Sequence, residues 1–279
     1  MKGKKKLIIV PHSVLHYLPF AMLVDSNGDY LVKNYQILTQ PSASVYMLCL
    51  NKKKSKGEKL EAYAIGDIAV SFGEKKENKK EVSLRGTIVM SPELMREGLS
   101  PLPGTEDEVK EISKVYPDGK VLIGNKATIE QVKTSVGNGT LVHFATHGIL
   151  DSRHPLFSGL VFYDGILTTS DIFSLNLKAN MVVLSACNTA GGGISSGDEI
   201  VGISRAFMYA GTPTVVASLW SISDVSTVQL MKDFYRKLKQ GESKAAALQE
   251  AQKYMMKSTE YSHPYYWAPF ILIGDGGRD

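Results

Sequence analysis

The apolar residues of this chain fall into short β-branched runs separated by stretches with helical spacing, and that alternation predicts an α/β fold. Leu7 to Val10, Ala62 to Ile65, Val121 to Ile123, Leu141 to Ala145, Gly159 to Phe162, Val182 to Leu184, Thr214 to Leu219 and Phe270 to Ile273 read as strands. Most are apolar at successive positions, as suits parallel strands covered on both faces. Tyr30 to Leu38 alternates and reads as one more strand. Between the strands, Ser42 to Leu50 has the period of a short helix, with Cys49 as a core residue. Thr105 and Glu108 form a capping box for a helix whose inner face is Val109, Ile112 and Val115 or Tyr116. Thr128 and Gln131 open another, and a helical segment starts at Thr169. Asp198 reads as the N-cap of a helix through Ile200, Ile203 and Phe207 that closes at Gly211. A helix from Ser226 buries Val228, Met231, Phe234 and Leu238 and stops at Gly241. Ser243 to Met256 is alanine-rich and helical. Strand, helix and strand in repetition predict a mostly parallel sheet with right-handed crossovers and helices on both faces.

Two of these strands end in residues that can do chemistry. MVVLSACNT leads into Cys187, and LVHFATHG leads into His147. Adjacent strands lie about 4.8 Å apart, and open α/β sheets bind ligands at the carboxyl ends of their strands. Two such ends can bring a thiol and an imidazole together, the minimum for thiol catalysis. Either residue alone reads more simply as core, since free cysteine is among the most buried residue types. The pair, each followed by Gly, Asn or Thr instead of core-filling side chains, favours the chemical reading.

Composition narrows the class. At 279 residues, 43% hydrophobic and 22% charged, the chain has the make-up of a globular protein with one large core or two modest ones. Two cysteines, Cys49 and Cys187, make no disulfide framework and suggest a reducing compartment, hence the cytoplasm. No apolar run approaches the roughly 20 residues of a membrane span, and the basic start lacks a signal-peptide core. The net charge of +4 matches Lys2, Lys4, Lys5 and Lys6 alone. The balanced remainder argues against a nucleic-acid surface. His12 and His16 have a spacing that could suit a metal, but Pro19 and the lack of an acidic neighbour favour a structural role. No metal site or cofactor is expected.

The succession PHSVLHYLPF, PLPGTEDEV, VHFATHG, VVLSACNT, GDEIVGISRAFMYAG, VVASLW and HPYYWAPFILIG resembles the CHAT family of caspase-like cysteine peptidases, related to separase, over nearly the whole chain. The resemblance implies one caspase-like domain, with an N-terminal lobe to about residue 100 and a catalytic half beyond it. It also implies a His147–Cys187 dyad acting on a protein substrate, with backbone N–H groups of Gly148 and Cys187 as the oxyanion hole. Caspase-like sites orient the histidine through backbone contacts, so neither Asp151 nor Asp198 is assigned to catalysis. His143 is expected to be a buried hydrogen-bonding residue and His154 a loop residue. In WSISD, Asp224 follows Trp220 by four, as in the separase and CHAT pattern near the pocket for the side chain before the scissile bond. Asp224 either favours arginine or lysine there or caps the next helix. Ser185 and Asn188 are further substrate-contact candidates. Asn188 stands where relatives usually carry an acidic residue, and Ser185 is not the aspartate of metacaspases. Family members usually carry TPR-type repeats before this domain, so control by a partner or by such repeats is expected. Roles in cell death or phage defence are suggested by kinship alone.

Two other classes stand beside the peptidase. One is a catalytically silent caspase-fold scaffold switched by a partner. The other is a nucleotide-binding domain with Gly191 to Gly193 as a phosphate loop, which lacks the Walker lysine and the spaced Rossmann glycines. GEKKENKK, residues 73 to 80, has no periodicity and reads as an exposed insertion extending to about residue 100. Limited proteolysis read by intact mass should therefore cut first between 73 and 100. First cuts elsewhere would contradict that reading.

Overall fold

The computed structural model describes residues 5–53, 55–72, 81–84, 99–135, 140–151, 154–185, 187–188, 198–220, 222 and 224–277, with backbone alone at 71–72, 81–84, 135, 187–188, 198–201 and 224. The first strands are β1 (Lys6–Ile9), β2 (Gln36–Thr39), β3 (Leu60–Ala64), β4 (Ala69–Phe72) and β5 (Glu81–Leu84). They are followed by β6 (Lys120–Ile123), β7 (Leu141–Ala145), β8 (His147–Ile149), β9 (Gly159–Phe162) and β10 (Gly165–Thr168). The last are β11 (Met181–Leu184), β12 (Cys187–Asn188), β13 (Thr214–Ser218) and β14 (Phe270–Gly274). The helices are α1 (Leu31–Asn34), α2 (Ala43–Asn51), α3 (Pro103–Val115), α4 (Ile129–Ser135), α5 (Thr169–Phe173), α6 (Asp198–Ala210), α7 (Asp224–Lys239) and α8 (Lys244–Met255).

Eight strands build the central sheet in the order β1-β2-β14-β13-β11-β7-β3-β6. Every pairing is parallel except β13 with β14, so β13, β11, β7, β3 and β6 run one way and end at one edge. The N-terminal lobe is woven into the same sheet, since β3 pairs with both β7 and β6. Two cores explain the continuous apolar strands. Leu141, Ala145, Met181 and Val183 face α3, α7 and α8, whereas Val142, Phe144, Val182 and Leu184 face α5 and α6. Period-2 alternation thus delivers apolar side chains to both sides.

Three expectations change. Residues 30 to 35 are not strand: pairing with β1 starts only at Gln36, opposite Lys6, and the backbone before it closes its own hydrogen bonds in α1, from Lys33 N–H to Tyr30 O and from Tyr35 N–H to Leu31 O. There, Tyr30 sets its ring edge-on against Trp267 at 5.3 Å. Thr105 and Glu108 do not cap α3. Pro103, with its φ pre-set for a first turn, starts the helix three residues earlier, behind Leu102. The Thr105 hydroxyl instead donates to Leu102 O and accepts from the Gly66 N–H, tying α3 to the end of β3. Asp198 is the first residue of α6 instead of its N-cap. Thr128 does cap α4, accepting from the Gln131 N–H. An unforeseen capping box, Thr168 with Asp171, opens α5. Residues 73–80, 85–98 and 191–193 lie outside the described residues. Of the expected insertion, Glu81–Leu84 pairs in parallel with β4.

The antiparallel return of β14 depends on Gly274, whose φ is +97° and whose added Cβ would lie 2.2 Å from Pro213 O. Gly28, at φ +83°, has open space around it. Gly274→Ala should cost about 3 kcal/mol or more and Gly28→Ala about 1 kcal/mol, read from urea midpoints. Equal costs would contradict this packing.

Candidate active site

The edge where the parallel block ends gathers the residues expected to do chemistry. Past β7 and β11, both chains run on as β8 and β12, which leave the main sheet and join β9 and β10 in a four-stranded sheet. Leu184 lies opposite Phe144 in the main sheet, and Cys187 lies opposite His147 beyond it. The sequence offset is the same in both, so the strands continue without a slip. Asn188 then pairs with Gly148, which pairs with Leu160 on its other side. His147 and Cys187 are therefore members of short strands of their own, not loop residues past a strand end.

His147 is 1% exposed. Its Nε2 lies 2.8 Å from the carbonyl oxygen of Ser100. A carbonyl can only accept, so Nε2 carries the proton, and Nδ1 is the acceptor of the neutral ring. Burial pulls the imidazole pKa down to about 4, against a smaller upward effect of the Ser100 carbonyl. The ring is thus neutral at physiological pH. Ser100 itself is held by its neighbours: Leu99 exchanges backbone hydrogen bonds with Val70, and the Leu102 N–H donates to Gly66 O.

Behind this pair lies a buried polar chain. Glu108 is on the inner face of α3, and its Oε2 accepts a 3.0 Å hydrogen bond from the Ser185 hydroxyl, two residues before Cys187. Glu108 Oε1 lies 3.1 Å from His143 Nε2, although neither atom makes a well-aligned hydrogen bond. His143, as expected, is buried, and its Nδ1 is 3.1 Å from the Tyr235 hydroxyl on α7. Burial, reinforced by the Glu108 and Tyr116 charges, holds the Tyr235 phenol well above its usual pKa, so the hydroxyl stays protonated and can donate to Nδ1.

Sequence reasoning missed Ser100, Glu108 and Tyr235 as site neighbours. The signal for Glu108 was its place in the stripe Thr105, Glu108, Val109 and Ile112, a carboxylate on a buried helix face. Trp220 follows β13 at the same edge, where its Nε1 donates to Tyr265 O at 3.2 Å and its ring stacks on Tyr265. Asp224 is the first residue of α7, four positions on. His154 is exposed beside Asp151. Cys49 is buried under the opposite face, against α6. Among the described residues no three His, Cys, Asp or Glu side chains converge as a metal site, and no helix is long and apolar enough to cross a membrane.

Comparison with known proteins agrees with this architecture. Human and mouse tetratricopeptide repeat protein 28 are each 27% identical to 97% of the chain. The chain spans only 12% of their length. Among solved structures, separase in the separase–securin complex of Saccharomyces cerevisiae superposes with a TM-score of 0.55 at 13% identity, covering 93% of this chain and 14% of that one. The Arg-specific cysteine proteinase gingipain R gives 0.55 at 11% identity, covering 99% of this chain and 64% of that one. These likenesses establish a caspase-like fold. The CHAT domain model matches residues 1–275, and the chain belongs to the CHAT domain family.

Proposed function

We propose that this chain is a cysteine endopeptidase that cleaves a protein substrate through a His147–Cys187 dyad. The observation that carries this reading is the unbroken register that pairs Cys187 with His147, a histidine whose Nε2 is already bound to a carbonyl. A free thiol has a pKa of about 8.5 and is mostly protonated at neutral pH. His147 Nδ1 takes that proton as the sulfur attacks the scissile carbonyl carbon and the carbonyl π pair moves to oxygen. The oxyanion accepts hydrogen bonds from the Gly148 and Cys187 backbone N–H groups. Collapse restores the C=O bond and breaks the C–N bond, and the imidazolium protonates the leaving amine. A water deprotonated by Nδ1 then attacks the thioester, releasing the acid and the thiol. A ring neutral at rest is suited to begin as the base.

Asp224 and Trp220 form the candidate pocket for a basic side chain before the scissile bond, and Asn188 contacts substrate beside the nucleophile. The Ser185 hydroxyl is engaged by Glu108, so any substrate contact there runs through its backbone. The 1% exposure of His147 suits control by a protein partner or by TPR-type repeats such as those that name the mammalian relatives. The same burial favours a second reading, a silent scaffold.

A diverse peptide library separates the two. Cys187→Ala should lose at least about 10³-fold in cleavage and His147→Ala about 10² to 10⁴-fold. Cutting should follow arginine or lysine, with Asp224→Ala lowering kcat/KM for those peptides about 10²-fold. Cys187-dependent cutting after other residues would keep the dyad and remove the pocket. No cutting with a partner bound would favour the scaffold.

The buried ring also predicts a pH dependence of stability. Its pKa is about 4 in the folded state against 6.5 ordinarily, so between these values the unfolded chain binds the extra proton. The stability contribution is complete above about pH 6.5 and is lost as the pH falls towards 4, by up to about 3 kcal/mol. From pH 7 to 4 the wild-type Tm should fall further than that of His147→Asn. Equal falls would contradict neutral burial of the ring.

A further inference from the structure

One helix serves both members of the dyad. The segment leading into α3 supplies the Ser100 carbonyl to His147, and the inner face of α3 supplies Glu108 to Ser185. Ser185 is the link that matters for the nucleophile. It follows β11 directly, its backbone N–H donates to Phe144 O, and Cys187 begins β12 two residues later. The hydroxyl bond to Glu108 is therefore a side-chain tie on the chain between β11 and β12.

Glu108 does not satisfy a helix end, and its carboxylate is buried, where it is costly unless paired. Its two oxygens divide the work. Oε2 holds Ser185, and Oε1 faces His143, which Tyr235 of α7 holds from the other side. Strands β7 and β11 and helices α3 and α7 thus meet in one polar cluster inside an otherwise apolar core. Apolar side chains would fill the same space at lower desolvation cost, so packing alone does not account for it.

Building on the peptidase reading, we propose that Glu108 is a positioning residue for the nucleophile, acting through the Ser185 hydroxyl to fix the backbone that enters β12. Glu108→Ala and Ser185→Ala should each lower kcat about tenfold with KM within twofold. The double variant should be no worse than either single one, because both remove the same tie. Glu108→Gln keeps an acceptor for the hydroxyl and should return to within about threefold of wild type. Alkylation of Cys187 by iodoacetamide, with Cys49 as internal reference, reads the same effect without peptide cleavage. It should slow about tenfold in both alanine variants at temperatures where each remains folded. If no peptide is cut by any form but this slowing is seen, the peptidase reading fails and the positioning role stands. If Ser185→Ala, which removes a single hydroxyl, leaves Cys187 alkylation and kcat at wild-type values, the positioning role is overturned. Additive losses in the double variant would overturn it as well. Should Glu108→Ala fail to fold, Ser185→Ala decides alone.

Discussion

The site rests on one backbone interaction, the parallel pairing of β7 with β11 that continues without a slip into β8 with β12. Register in a sheet is all or nothing. A slip of β11 by one residue against β7 would exchange the two faces of β11, moving Val182 and Leu184 into the wrong core. The apolar packing on both sides of the central strands thus also fixes which residue stands opposite His147. The core and the candidate site share one constraint, so the pairing of Cys187 with His147 is as firm as the fold.

What the sheet leaves open, α3 closes. Strand pairing sets where the two backbones run but not how an imidazole is turned, and it is the Ser100 carbonyl that selects the tautomer. The carbonyl lies three residues before Pro103, and Thr105 ties that turn to Gly66 at the end of β3. A carbonyl orienter carries no net charge, so it turns the ring while stabilising its protonated form less than a carboxylate would. This is why burial dominates and the pKa sits near 4.

Much of this was legible in the sequence, and the losses have physical causes. The two strand-end motifs pointed to His147 and Cys187, whose backbones pair across β8 and β12, because β-branched runs that stop abruptly mark buried strands reaching an edge. The mostly parallel sheet, the Thr128 cap and the glycine stops at 211 and 241 followed from local chemistry. Glu108 was misread because a Thr and a Glu three apart satisfy the capping pattern, whereas Pro103 had already begun the helix. Ser100 was invisible for a different reason: its contribution is a backbone oxygen, and any residue type supplies one. Tyr235 sat among Met231, Phe234 and Leu238 on an apolar stripe, where a phenol looks like one more core ring until its hydroxyl finds His143.

The central claim is that a thiol at Cys187 faces Nδ1 of a histidine held through Nε2. A crystal structure of the chain reacted with a peptidyl chloromethylketone ending in arginine tests it most directly. The expected result is a covalent bond from the Cys187 sulfur to the inhibitor, His147 Nδ1 within hydrogen-bond reach of it, and Nε2 still on the Ser100 carbonyl. An adduct on another residue, or a ring with Nε2 turned to the sulfur, would contradict it.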